Sequence, residues 1–213
     1  MAKVIAVTKS AASLADVESR FGLSKSIDQD FFPEWRASDG RLSTTQEESL
    51  AIAYRRLQYH RADSEPLEGA VTLLLVAPLL ELAGFYDPPF KLRSEASVAI
   101  PIDDGEEILK GKIDALILRD QLWVLVLEAN KTTVPLRSAL PQLLSYWMAN
   151  PRLESSNLPT YGVVTNGDEV LFIKLVREPS QRYSLSRAFS IYTDYSELYQ
   201  VLVALQAIGH RVV

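Results

Sequence analysis

Residues 111–118, Gly-Lys-Ile-Asp-Ala-Leu-Ile-Leu, and residues 122–131, Leu-Trp-Val-Leu-Val-Leu-Glu-Ala-Asn-Lys, each place an acidic side chain in an apolar run. Strand interiors ordinarily exclude such residues, because a desolvated carboxylate without a partner costs several kcal/mol. Asp114 and Glu128 are therefore expected to be paired or to hold a cation. A short turn at Arg119-Asp120-Gln121 separates the runs, so they read as a hairpin with the two carboxylates near its open end. Strand alternation groups Lys112 with Asp114, and Glu128 with Asn130. Two carboxylates supplemented by backbone carbonyls suit Mg²⁺ or Mn²⁺, hard ions that prefer oxygen. A structural ion pair with a neighbouring Lys or Arg is the competing reading.

Composition narrows the chemistry around this pair. The chain has 213 residues, 47% hydrophobic and 23% charged, enough for one large domain with a substantial core. It has no cysteine, which excludes disulfides, thiolate zinc sites and cysteine nucleophiles. Its histidines are His60 and His210, too few for a histidine-rich metal cluster. A net charge of −5 argues against a broad basic surface, although a local basic cleft is compatible with it. The longest apolar segment, 70–83, contains Pro78 and Glu81 and falls short of a membrane span. The expectation is a cytoplasmic protein with no membrane partner.

Working outward, residues 1–62 read as an N-terminal helical arm and residues 63–213 as the main domain. In the arm, Ser13 caps a short helix that stops near Gly22, and 44–61 form an amphipathic helix with Leu50, Tyr54 and Leu57 on one face. Between them lies Phe31-Phe32-Pro33-Glu34-Trp35, an aromatic cluster suited to packing the arm onto the body or to stacking nucleic-acid bases. In the main domain, 67–84 reads as a buried helix, 91–102 and 106–118 as strands, and 122–130 as a central strand. Residues 135–149 read as a helix in which Pro141 marks a kink or a later start. Asn166-Gly167 between two apolar segments signals a hairpin, and 195–209 reads as a C-terminal helix. The predicted class is α/β, an α+β arrangement with a mixed sheet and the order α-β-β-β-α-β-β.

These residues carry a resemblance. Asp114, followed by Glu128 at the end of the next apolar strand, resembles the core of the PD-(D/E)xK nuclease superfamily. Gln142 and Tyr146 are similar to a Gln-x-x-x-Tyr motif on the following helix of RecB-like nucleases and of type I restriction motor subunits. Residues 161–169, Tyr-Gly-Val-Val-Thr-Asn-Gly-Asp-Glu, resemble the strand and turn that come next in the N-terminal nuclease domain of type I restriction enzyme subunit R. The likeness spans roughly 66–176, and the whole chain also resembles small stand-alone proteins of cyanobacterial type related to that subunit.

The resemblance implies a restriction-endonuclease-like core α-β-β-β-α-β and Mg²⁺- or Mn²⁺-dependent hydrolysis of DNA, with duplex DNA, restriction-modification subunits and a second copy of the chain as partners. It implies that Asp114 and Glu128 hold metal with Glu68 as a third carboxylate, and that Gln142 and Tyr146 address a phosphate or the attacking water. Apart from the resemblance, Arg137 and Arg152 flank the 135–149 helix, a position that suits contact with a DNA backbone or a solvated surface charge. The family's lysine falls at position 130, where this chain has Asn130 followed by Lys131. A bulge or strand end at 129–131 would bring Lys131 in, and Lys112 is the other source of positive charge. Without either lysine the chain is a degenerate nuclease fold that binds DNA or a partner subunit. The sequence holds no Gly-x-x-x-x-Gly-Lys-Ser/Thr, so a helicase motor is not expected of it.

Overall fold

A hairpin of two 13-residue strands organises the sheet: β3 (Phe90–Ile102) runs antiparallel to β4 (Glu107–Arg119) along its whole length. The computed structural model describes residues 3–6, 13–36, 40–102, 107–119, 122–129, 133–148 and 158–212; in the strand residues 3–6, 95–102, 107–112 and 122–129 it describes the backbone. The other edge of β4 is shared. β5 (Leu122–Ala129) pairs antiparallel with its C-terminal half, and β1 (Lys3–Ala6) pairs parallel with residues 107–110. β5 is then parallel to β6 (Thr160–Thr165), which is antiparallel to β7 (Glu169–Val176). β7 pairs with β8 (Arg182–Leu185) and β9 (Phe189–Ser190), and β8 with β2 (Ser24–Lys25). Among the described residues this makes one mixed nine-stranded sheet.

Helices cover both faces, which is why β6 is buried at every position. On one face lie α2 (Thr44–Arg61), α3 (68–82) and the C-terminal helix, which is α5 in chain order (Tyr195–Arg211). They pack Leu50, Leu57, Leu75, Leu80, Val201 and Leu205 against Ala115, Ile117, Val163 and Phe172. On the other face lie α1 (Leu14–Phe21) and α4 (Leu140–Met148), packing Val17, Leu140, Leu143 and Leu144 against Leu116, Leu118, Val164 and Ile173. The class is thus mixed α and β with a mixed sheet.

Helix ends follow the capping chemistry. Ser43 and Gln46 form a reciprocal capping box that starts α2 at Thr44. Gly22, at φ 61°, ends α1 in the left-handed conformation that glycine tolerates. α3 is less regular than expected: Glu68–Val71 and Ala77–Leu82 are α-helical, with a π segment at Thr72–Val76 between them. Pro141 is the second residue of α4, preceded by a 3-10 turn at Leu136–Ala139, so it marks a late helix start. The first 62 residues hold more than helices, since they supply β1 and β2 to the sheet. Among the described residues no helix is long and apolar enough to cross a membrane.

Candidate functional site

The β4–β5 ladder decides which residues of the acidic strands meet. It pairs Ala115 with Leu127, Leu116 with Val126 and Ile117 with Leu125. Asp114 and Glu128 are the next residues on the two strands beyond the Ala115–Leu127 pair, so continuing the same register sets them opposite each other. A bulge produces this match. Nearer the turn, Arg119 pairs with Leu122 and Leu118 with Trp123, so Val124 is skipped. Without that skip, Asp114 would stand opposite Leu127. This bulge is distinct from the bulge or strand end expected at 129–131; β5 ends at Ala129, and Asn130 and Lys131 are outside the described residues.

Asp114 is half-buried; Ile113 beside it and, further along β4, Leu116 and Leu118 pack beneath α4. α4 carries the Gln142–Tyr146 pair, in which Gln142 Nε2 donates to the Tyr146 hydroxyl at 3.0 Å. Tyr146 is 1% exposed and Gln142 half-buried, so this contact fixes the amide at the margin of the core. Lys112 lies two residues before Asp114 on β4, and its side chain, like that of Glu128, is outside the description. Glu68 is elsewhere. It is exposed at the first turn of α3, whose buried side chains belong to the core on the opposite sheet face. Arg137 is exposed just before α4, and Arg152 is outside the described residues. Among the described residues no three Asp, Glu or His side chains gather as a metal cluster, a census that leaves out Glu128. The donors at hand, an aspartate and a glutamate at facing backbone positions, are the oxygen type that suits a hard divalent ion.

The height of α4 above the sheet is set by Gly162. A Cβ there would meet Trp147 Cζ2 at 2.8 Å and Cη2 at 2.9 Å. Trp147 is fully buried and has no room to retreat. Gly162→Ala is expected to destabilise the protein by about 1–3 kcal/mol in urea unfolding, and Trp147→Phe in the same chain to return part of that loss.

A second polar cluster, on the opposite sheet face, was not legible in the sequence. Glu34 is 6% exposed; its Oε1 accepts from the Tyr161 hydroxyl at 2.8 Å and from Lys174 Nζ at 2.7 Å. Tyr161 and Lys174 are a cross-strand pair of β6 and β7, so one carboxylate bridges two strands. The Lys174 ammonium also lies 5.7–5.8 Å from the ring centroids of Phe31, Phe32 and Tyr161. The aromatic loop therefore packs inward, with Phe32 fully buried. Its composition announced packing, but its ionic partners are 127 and 140 residues away in the chain.

Burial first, then the hydrogen bond to Glu34 and its charge, push the Tyr161 phenol far above its ordinary value of 10.0, against a smaller lowering by Arg211. Burial likewise raises Tyr183, helped by its hydrogen bond to Glu18 at 2.6 Å and by that carboxylate's charge. In the unfolded chain both phenols ionise near pH 10, whereas the folded ones keep their protons. Stability is therefore expected to hold below pH 10 and to fall as pH rises above it. Urea midpoints across that range should decline less steeply in Tyr161→Phe, and a slope equal to wild type would contradict the assignment.

No family model matches the chain, and no curated protein matches it.

Proposed function

We propose that this chain is a metal-dependent nuclease-fold protein that hydrolyses phosphodiester bonds in DNA. One observation supports the reading most. Continuing the β4–β5 register one step past the Ala115–Leu127 pair sets Asp114 opposite Glu128 on adjacent strands, and α4, with Gln142 and Tyr146, covers one face of that sheet. The order of elements from α3 to β6, helix, three antiparallel strands, helix and a strand parallel to β5, is the second observation that supports the reading.

In this reading Asp114 and Glu128 supply the carboxylate oxygens that hold Mg²⁺ or Mn²⁺. The bound ion supplies Lewis-acid charge for a phosphoryl oxygen and lowers the pKa of water. Lys112 or Lys131 provides the positive charge that orients the attacking water and balances charge building on the phosphate. Gln142, held by Tyr146, presents an amide to a phosphate oxygen or to that water. The test is incubation of supercoiled plasmid with the protein in Mg²⁺, in Mn²⁺ and in EDTA. Nicking that needs the ion and is lost in Asp114→Asn supports the reading; ion-dependent nicking that survives the substitution removes Asp114 from the site.

Asn130, standing where the nuclease pattern has lysine, favours one alternative: the same fold holding DNA or a partner subunit without cutting. DNA retardation with no cleavage in any divalent ion is the result that selects it.

A further inference from the structure

The β6–β7 turn does more than reverse the chain. Asn166 Oδ1 accepts from the backbone N–H groups of Asp168 at 3.1 Å and Glu169 at 2.9 Å, closing the turn around Gly167 at φ 88°. The other end of the same amide leaves the turn: Nδ2 donates to the Val134 carbonyl at 3.2 Å. Val134 lies six residues after Glu128 and two before the 3-10 turn that leads into α4. Asn166 is 5% exposed, so water is poorly placed to replace that donor. The turn is itself anchored from the opposite layer, because Arg61 of α2 donates to the Gly167 carbonyl at 2.6 Å and pairs with Asp168. A rigid α2–turn unit thus grips the approach to α4.

We propose that Asn166 is a positioning residue for the candidate nuclease site. By holding Val134 it sets where α4, with Gln142 and Tyr146, stands relative to Asp114. The proposal rests on the nuclease reading, but its geometric half is measurable without metal or DNA.

Asn166→Asp separates the two ends of the amide. It keeps both acceptor bonds of the turn and replaces the donor to Val134 with an oxygen that repels the carbonyl. Asn166→Ser serves the same purpose without a buried charge, retaining a turn acceptor too short to reach Val134. The first readout is amide hydrogen exchange of the metal-free protein. The Ser138 N–H, which donates to the Pro135 carbonyl at 3.0 Å, is expected to exchange about tenfold faster in both variants, with the β6–β7 amides protected as in wild type. Unchanged exchange at Ser138 overturns the proposal, and so does exchange that rises equally across the whole sheet.

The second readout is cleavage. A kcat reduced by about 10- to 100-fold, with Mn²⁺ affinity and KM for DNA near wild type, is the expected result. Full kcat in a variant whose Ser138 exchange has risen overturns the positioning role. A wild-type protein that neither binds Mn²⁺ nor cuts DNA refutes the nuclease reading, and the exchange result still decides whether Asn166 holds Val134.

Discussion

Asp114→Asn is expected to lower Mg²⁺- or Mn²⁺-dependent cleavage by about 10³-fold or more, equivalent to about 4 kcal/mol of transition-state stabilisation, in a protein that stays folded. The substitution keeps the side chain's size, removes its charge and turns one acceptor oxygen into an N–H donor. Asp114 is half-buried between Ile113 and Ala115, both buried, so the strand should accept an isosteric amide without repacking. A binding measurement separates lost catalysis from lost metal. An ion that binds only the folded protein stabilises it by about 2.7 kcal/mol at a hundred times its Kd. For a chain of this size that raises Tm by about 5–10 °C. The Mn²⁺-induced rise should be present in wild type and absent in Asp114→Asn. Equal rises in the two proteins would mean that the ion sits elsewhere, whatever the cleavage assay shows.

The reach of the sequence toward this site depended on how local each signal was. Helix α2 begins at Thr44 because Ser43 and Gln46 satisfy each other's backbone groups, a pattern complete within four residues. The Asn166-Gly167 turn and the late start of α4 around Pro141 are equally local, and both are where the residues put them. The strand register was not written in the same way. Residues 122–127 are uninterruptedly apolar, so no alternation of apolar and polar side chains selects one pairing over another, and the skip at Val124 had no signature. β1, β2, β8 and β9 are two to four residues long, too short for a period to register. The π segment of α3 leaves no pattern either, since Thr72–Val76 reads as helix in any register. Glu34 was the largest omission. A glutamate beside Pro33 and Trp35 looks like part of a surface loop until Tyr161 and Lys174 are brought to it by the pairing of β6 with β7.

Glu34→Ala is expected to cost about 3–5 kcal/mol, a third or more of the total stability of a typical domain. The reason is the lysine left behind. Lys174 side-chain exposure is 11%, and Glu34 is the carboxylate that balances its charge at 2.7 Å. Three aromatic faces surround the ammonium, but cation–π attraction of about 1–2 kcal/mol does not replace a hydrogen-bonded counterion. Arg211 offers Tyr161 no substitute, being a cation itself, 67% exposed and 3.9 Å from the same carboxylate oxygen. The two-residue replacement Glu34→Leu with Lys174→Met removes both charges and fills the space with apolar atoms. It should recover most of the loss, because a buried ion pair gains little over well-packed hydrophobic groups of similar volume. Urea unfolding of wild type, Glu34→Leu, Lys174→Met and the double variant gives the coupling energy directly. A single variant within about 1 kcal/mol of wild type, or a double variant no more stable than Glu34→Ala, would show that the pair is not what fastens the 31–36 loop to the sheet. The expected pattern, two damaging single changes and a tolerated double change, would identify Glu34 as the clamp that seats the loop across β6 and β7. Those are the strands whose turn carries Asn166, so a loosened clamp should also quicken amide exchange at Asp168 and Glu169, the two N–H donors to Asn166 Oδ1.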